Sequence, residues 1–214
     1  MLKVIAALVA TMLAGSAGAV TVLTATLTNG QENPPAIPTL AGGAPRPASF
    51  GDATFTIDDA MTQMSFVANI FNIDVTGSQT QDTNDNLTVA HIHAGPAVTL
   101  ATNGPVVWGF FGTPFNNTSP NDGVVTPFAS GVGGTFSGTW NASEGNNTTF
   151  AAQLGNILAG RAYINFHTVQ FAGGELRGAV TPVPEPETYA LFLGGGLLLA
   201  ARVTQHRRRQ QARG

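Results

Sequence analysis

Three histidines and one glutamate have the residue types and spacing to hold a metal ion. His91 and His93 stand two apart in a strand-like segment, so both imidazoles should point to one face, about 7 Å apart. His167 lies in a second strand-like segment, and Glu175 follows it after a tight turn. Imidazole nitrogens and carboxylate oxygens are ligands of Zn and Cu. We therefore predict His91, His93, His167 and Glu175 as candidate ligands of a Zn or Cu ion.

The same residues also suit a structural polar network. Histidines on strands are often buried and hydrogen-bonded, and Glu175 with Arg161 or Arg177 would make a plain ion pair. If a metal binds, a closed structural site is favoured over a catalytic one. The sequence offers no obvious general base or nucleophile beside these residues, and no Gly-x-Ser-x-Gly elbow occurs. We assign no catalytic residue and no certain cofactor.

Short segments of alternating hydrophobicity predict an all-β domain. Threonine, valine and phenylalanine favour strands, whereas the abundant glycine, asparagine and proline favour turns. One helix is predicted at 149–158, because Phe150, Leu154 and Ile157 fall at helical spacing ahead of Gly160. The predicted strands are 22–27, 53–57, 64–70, 87–93, 105–111, 135–140, 162–168 and 175–180.

These elements predict an immunoglobulin-like β-sandwich or a Greek-key barrel with one short helix. The last two strands should form a hairpin. Segments 77–86 and 116–134 read as an exposed loop and a mobile loop. The acidic stretch from Asp74 to Asp85 could take Ca²⁺, but it lacks EF-hand spacing, so we expect a solvated surface there.

Composition excludes several classes of site. The chain has no cysteine, so disulfides, thiolate metal sites and cysteine nucleophiles are excluded. Residues 20–181 hold ten acidic residues against three arginines, Arg46, Arg161 and Arg177, a formal charge of −7. Such a domain has no electrostatic footprint for nucleic acid.

The first 19 residues have the pattern of a secretory signal peptide. Lys3 supplies the positive start, 4–13 the apolar stretch, and Ala17-Gly18-Ala19 a small-residue cleavage site. We predict a signal helix and cleavage after Ala19 following Sec export. An uncleaved anchor helix is the alternative, and the short apolar stretch disfavours it.

The C-terminal segment combines a proline-rich acidic hinge, an apolar run at 188–201 and a basic end. The run is shorter than the about 20 residues that span a bilayer comfortably, so it predicts a marginal transmembrane helix with its arginines in the cytoplasm. His206 falls in that cytoplasmic end and is excluded as a ligand. The hinge carries Pro184, Glu185 and Pro186, and the basic stop is formed by Arg202, Arg207, Arg208 and Arg209.

This segment resembles the PEP-CTERM sorting signal of Gram-negative bacteria. The resemblance implies processing near Pro-Glu-Pro by an exosortase, in a host that makes an extracellular matrix. It predicts a protein that is anchored transiently in the inner membrane and then reaches the cell envelope or the exterior. An ordinary C-terminal membrane anchor is the alternative.

Four ordered motifs resemble the CHRD domain, which was first described in chordin and is widespread in bacterial exported proteins. They are Gln-Glu-Asn-Pro-Pro at 31–35, His-Ile-His-Ala-Gly-Pro at 91–96, Gly-Arg-Ala-Tyr-Ile-Asn-Phe-His-Thr at 160–168 and Gly-Gly-Glu-Leu-Arg-Gly at 173–178. The resemblance covers about residues 23–180 and departs from the family pattern in the insertions 77–86 and 116–134. It implies an all-β, immunoglobulin-like or barrel domain, and no secure activity.

The sequence thus predicts a signal peptide at 1–19, a CHRD-like β-domain at 20–181 and a sorting tail at 182–214. We expect an exported, non-enzymatic cell-surface or matrix domain with a structural, adhesive or binding role. Its expected partners are the Sec machinery, an exosortase, and an exopolysaccharide or envelope protein. The alternatives are a metal-dependent redox or hydrolytic enzyme that uses the His-x-His site, and a signalling antagonist by analogy with chordin.

Overall fold

The computed structural model describes residues 20–184, which form a mostly β structure with one short α-helix. The predicted fold class, all-β with one helix, is confirmed in these coarse terms. A single 3-10 turn at Asn29–Gln31 follows the first strand. The elements are β1 Thr21–Thr28, β2 Phe50–Ile57, β3 Met64–Phe71, β4 Leu87–Ala94, β5 Val106–Phe111, β6 Val124–Pro127, β7 Gly133–Trp140, α1 Phe150–Leu158, β8 Ala162–Thr168, β9 Leu176–Ala179 and β10 Thr181–Pro182.

The described strands form one curled antiparallel sheet in the order β5-β4-β8-β9-β1-β2-β3-β7-β6, with β10 added beside β1. Its two halves meet between β9 and β1, where only Thr28 and Arg177 are in register. The sheet is therefore continuous, unlike the two sheets of a sandwich. Within residues 20–184, β5 and β6 lie at the two ends of the strand order and do not pair with each other. The sheet is therefore a half-barrel and not a closed barrel.

Aromatic contacts across the sheet show how it curls. Phe66 of β3 packs edge-on against Trp108 of β5 at 5.8 Å between ring centroids. Phe136 of β7 contacts Phe166 of β8 at 5.2 Å, and Trp108 stacks on Trp140 at 5.7 Å. These strands are distant in the sheet order, so the two halves face each other and enclose the apolar core between them.

The helix ends at the predicted residue and begins one residue after the predicted start, with Thr149 as its N-cap. The Thr149 side chain accepts a hydrogen bond from the Ala152 N–H, which caps the first turn. Phe150 and Ile157 are buried in the core. Gly160 has a φ of +69°, the left-handed conformation that glycine adopts readily after a helix.

One loop prediction is wrong, and another is wrong for its first residue. The segment 116–134 contains β6, which pairs with β7; its four residues and terminal proline give too weak a periodicity to be recognised. Asp74 is fully buried, and its carboxylate accepts hydrogen bonds from the backbone N–H groups of Thr76, Gly77, Gln79 and Thr80. Asp74 therefore organises the acidic loop from inside and is not part of a solvated surface.

The predictions for both termini lie outside the described residues. These are the signal peptide at 1–19, and the sorting and basic residues from Glu185 onward. Along the described stretch 20–184, no helix combines the length and apolar character that crossing a membrane requires.

Candidate metal centre

Strands β4 and β8 place the histidines on one face of the sheet. His91 lies opposite Asn165 and His93 opposite Tyr163 in an antiparallel register, and directly paired residues share a face. His167 lies two residues beyond Asn165 on the same side of β8. The alternate residues of β8, Ala162, Ile164 and Phe166, enter the apolar core instead.

Both faces of β8 are buried. All seven of its residues are buried, although the strand alternates between apolar and polar side chains. Loops cover the polar face through hydrogen bonds: Gly104 N–H donates to the Tyr163 hydroxyl, and Arg177 donates to Asn103 and to the carbonyls of Thr99 and Thr102. We call this covered face the polar layer: His91, His93, Tyr163, Asn165, His167 and Arg177.

The three histidines meet in the polar layer. Their ring centroids are separated by 5.9 Å between His91 and His93, 5.2 Å between His91 and His167, and 6.3 Å between His93 and His167. One nitrogen of each ring lies within 4.8 Å of one nitrogen of each of the other two rings. All three side chains are buried, with exposed fractions of 4 %, 7 % and 7 %.

Each ring uses one nitrogen to bind a backbone carbonyl. His93 Nδ1 lies 2.9 Å from the Gly104 carbonyl oxygen, His167 Nδ1 2.9 Å from that of Ala172, and His91 Nε2 3.3 Å from that of Thr113. A carbonyl can only accept, so these nitrogens carry the hydrogen. The opposite nitrogens, His91 Nδ1, His93 Nε2 and His167 Nε2, are buried and have no hydrogen-bond partner among the described residues.

This arrangement fits a metal ion. Histidine ligands of metals usually donate their second ring N–H to a carbonyl or carboxylate, which fixes the tautomer and the ring orientation. Here three carbonyls from three separate loops do so, and each ring keeps one buried nitrogen lone pair without a donor. Buried polar atoms without partners are uncommon, so three in one cluster require an explanation.

Burial also keeps the histidines neutral. Desolvation lowers the pKa of His91 to about 4, with a further contribution from the nearby His167. Desolvation likewise lowers the pKa of His93 to about 4, and it lowers the pKa of His167. A metal ligand must be deprotonated, so neutral imidazoles meet that requirement without losing a proton.

Glu175 does not join the histidines. Its carboxylate is fully buried, makes an ion pair with Arg46, and accepts hydrogen bonds from Ser49 Oγ and Thr168 Oγ1. The predicted partners Arg161 and Arg177 are not the ones it uses. One signal for this pair is present in the sequence, because Arg46 is one of the three cations between residues 20 and 181.

Arg177 instead stacks on Tyr163. Its guanidinium carbon lies 3.6 Å from the centroid of the tyrosine ring, and the same ring stacks on His93 at 4.5 Å with 7° between the planes. These planar contacts restrict the orientation of His93 in addition to its carbonyl hydrogen bond.

A family model described as the CHRD domain matches residues 23–180. The chain belongs to the CHRD family. The matched range of this CHRD domain contains every residue of the polar layer and all four motifs. No curated protein and no solved structure matches the chain.

The four CHRD motifs converge in the fold. The second and third supply the histidines, and the fourth supplies Arg177 of the polar layer. The first brings Glu32 close to the same face: its Oε1 and the Asn165 amide both lie within 2.8 Å of the point where a Cβ on Gly174 would stand. Sequence reasoning did not select Glu32 as a site residue, although it lies in the quoted motif.

Proposed function

We propose that this CHRD domain binds one transition metal ion through His91, His93 and His167, in a site buried beneath loops. The observation that supports the proposal is the set of three buried, unpartnered ring nitrogens whose opposite nitrogens are each held by a backbone carbonyl. A purely structural histidine network would be expected to use both nitrogens of at least some rings.

The donor set favours Zn²⁺ or copper. Imidazole suits both metals, whereas Mg²⁺ and Ca²⁺ prefer oxygen ligands. Glu175 leaves the predicted ligand set because Arg46, Ser49 and Thr168 already occupy its carboxylate. The alternative, a metal-dependent redox or hydrolytic enzyme that uses the His-x-His site, loses Glu175 as a ligand. We propose a non-enzymatic binding domain because the three histidines are buried, which leaves a bound ion little access to a substrate.

Metal analysis of the purified protein tests this proposal. We expect about one Zn or Cu per chain in the wild type and a loss of that metal in the His91→Ala and His167→Ala variants. Adding metal to chelated protein should raise its unfolding free energy by about 2.7 kcal/mol at a free concentration of about 100 Kd. His206→Ala is the matched control, because His206 lies outside the CHRD match, and it should retain the metal.

The Glu175→Gln variant separates the two ligand sets. If the histidines alone bind the ion, folded Glu175→Gln protein still contains about one metal per chain. Protein without bound metal, whose unfolding is unchanged by chelator, would exclude the metal site and leave the histidines as a structural network.

We also propose that the domain is exported and sorted to the cell envelope or matrix. The support is the signal-peptide pattern at 1–19 and the Pro-Glu-Pro, apolar and basic segments of the tail. The role proposed there is structural, adhesive or binding, with an exopolysaccharide or envelope protein as partner. Mass spectrometry of washed matrix fractions should recover a chain that begins at Val20; recovery only from cytoplasm, untrimmed, would contradict export.

A further inference from the structure

A cavity of about 330 Å³ lies beside the polar layer, between the loops that carry the first and fourth CHRD motifs. Its volume is at the lower end of the range of small-ligand pockets. The segments 32–36 and 170–174 form its two walls, and Asn103 closes a third side. The cavity is separate from the histidine cluster, since none of the three histidines lines it.

The amide side chains of the wall are already engaged. Asn33 donates to the Ala101 carbonyl at 2.7 Å, and Asn103 donates to the Asn33 carbonyl while accepting from Arg177. Gln170 uses both ends of its amide on Thr39. These groups therefore fix the loops and leave few free hydrogen-bonding positions for a ligand.

Glu32 is the exception in this wall. Its side chain is only 6 % exposed, and its Oε1 is buried without a hydrogen-bond partner among the described residues. The bare Cα of Gly174 gives this oxygen room, because a Cβ there would stand 2.6 Å from it. Asn165 and the Asn33 backbone N–H lower the pKa of this carboxyl, but its Oε1 keeps no hydrogen-bond partner. A buried carboxylate oxygen without a partner is costly and needs an explanation, and a donor supplied by a ligand is one.

No neighbouring cation neutralises Glu32 directly. Arg177 is close enough for its charge to lower the pKa of Glu32, but its guanidinium donates to Asn103, Thr99 and Thr102 instead. The one ion pair among residues 20–184 joins Arg46 to Glu175. Desolvation is the larger effect and raises the pKa of Glu32 to about 7.

The remaining side chains of the wall are apolar. Pro34, Pro35, Ala36, Phe171 and Ala172 surround the space next to Glu32. A fitting ligand therefore presents one strong donor to the carboxylate and carries an apolar stem. A saccharide is a poorer fit, because its many hydroxyls would meet amides that are already bonded.

We propose that this cavity binds a primary ammonium group on an apolar stem, with the ammonium donating to the Glu32 carboxylate and the stem packing on the prolines and Phe171. Two sources share this chemistry, a free alkylamine and the lysine side chain of a partner polypeptide. The acidic charge of the domain favours the approach of either cation. The inference does not depend on the metal site.

Calorimetric titration of the purified full chain tests the proposal at about pH 8, where an alkylamine is protonated and Glu32 is ionised. The probes are n-butylamine, Nα-acetyl-lysine amide, and their uncharged counterparts n-butanol and Nα-acetyl-norleucine amide. We expect both amines to bind and both uncharged probes to bind at least about tenfold more weakly, as the loss of a charge-assisted hydrogen bond requires. Binding of butylamine alone would identify a free amine as the ligand, whereas tighter binding of the lysine derivative would identify a polypeptide side chain.

Two variants make the test specific. Glu32→Gln keeps the shape and removes the charge, and it should weaken amine binding about tenfold or more. Gly173→Leu adds an apolar side chain to the cavity lining, and the protein should still fold because a Cβ at Gly173 meets nothing within 4 Å. We expect this bulk to weaken amine binding about tenfold or more. Asp59→Asn, on an exposed turn, is the matched charge control and should bind amines like the wild type.

Equal binding of butylamine and butanol would overturn the proposal. So would amine binding that survives both Glu32→Gln and Gly173→Leu, or tighter binding of glucose than of either amine. Metal content measured on the same samples keeps the two proposals apart, because neither variant changes a histidine of the proposed metal site.

Discussion

The two halves of the sheet have the same alternating pattern of side chains, but the outer face of one half is exposed and that of the other is buried. On β1 and β2 the residues that point away from the core, such as Thr24, Thr26 and Thr54, are exposed. On β8 the corresponding residues, Tyr163, Asn165 and His167, are buried beneath loops. Alternation therefore identifies which side chains leave the core, and the loops decide whether those side chains meet water or a second, polar interior.

Burial beneath the loops has an electrostatic cost for ionisable side chains. Histidines lose their charge there, and one carboxylate has a raised pKa. Another carboxylate, Glu175, is retained only with a buried arginine and two hydroxyl donors. The exposed threonine face carries no such cost, because water satisfies its hydroxyl groups.

The largest effect should come from breaking the buried ion pair. Glu175→Ala leaves the Arg46 guanidinium, 8 % exposed, without its counter-ion, and we expect a loss of about 3–5 kcal/mol of unfolding free energy. Urea denaturation measures it. Thr54→Ala on the exposed face is the control and should change stability by about 0.5 kcal/mol or less; similar losses in both variants would remove the contrast between the two faces.

The pH dependence of stability should be the next largest effect, in protein freed of metal. The lowered pKa values of His91 and His93 give stability that is present above their unfolded pKa of 6.5 and is lost as the pH falls toward about 4. Glu32 acts in the opposite direction. Its raised pKa gives stability that is present below pH 4.5, its unfolded pKa, and is lost as the pH rises through about 7.

Glu32→Gln removes the opposing contribution. Between about pH 7 and pH 5 we expect the wild type to lose about 2 kcal/mol and the variant about 4 kcal/mol. Urea denaturation across this pH range, with chelator present, measures both profiles. Parallel profiles would mean that Glu32 titrates normally and that the polar layer does not desolvate it.

A substitution at Gly174 should cost less. Gly174 has a φ of +126°, and an added Cβ would approach the Glu32 carboxylate and the Asn165 amide. Gly174→Ala is expected to destabilise the domain by about 1–3 kcal/mol. Gly173→Ala is the matched control, since its Cβ meets open space, and thermal unfolding should show little change for it.

The smallest effect is expected on the exposed face. Thr26→Val changes an exposed strand residue of good β propensity into another, so the unfolding free energy should change by about 0.5 kcal/mol or less. Metal content should not change. A larger loss would show that this face is also covered, for instance by another molecule in solution.

Much of the fold was predictable because its signals are local. The hairpin of β2 and β3 and the hairpin of β8 and β9 follow from period-two alternation around turn residues. The helix follows from its spacing and its cap. By contrast, β6 was missed because four residues carry too little periodicity, and the single curled sheet was not distinguished from a sandwich because strand patterns do not specify sheet order.

The sequence by itself determined that His91 and His93 share a face and that His167 lies on a similar strand, since both statements depend only on strand periodicity. Only the tertiary structure decided that the three rings meet, that carbonyls from three loops select their tautomers, and that Glu175 binds Arg46. The physical reason is range: Arg46 and Glu175 are 129 residues apart, and the burial that neutralises the histidines is produced by loops whose positions no local pattern encodes.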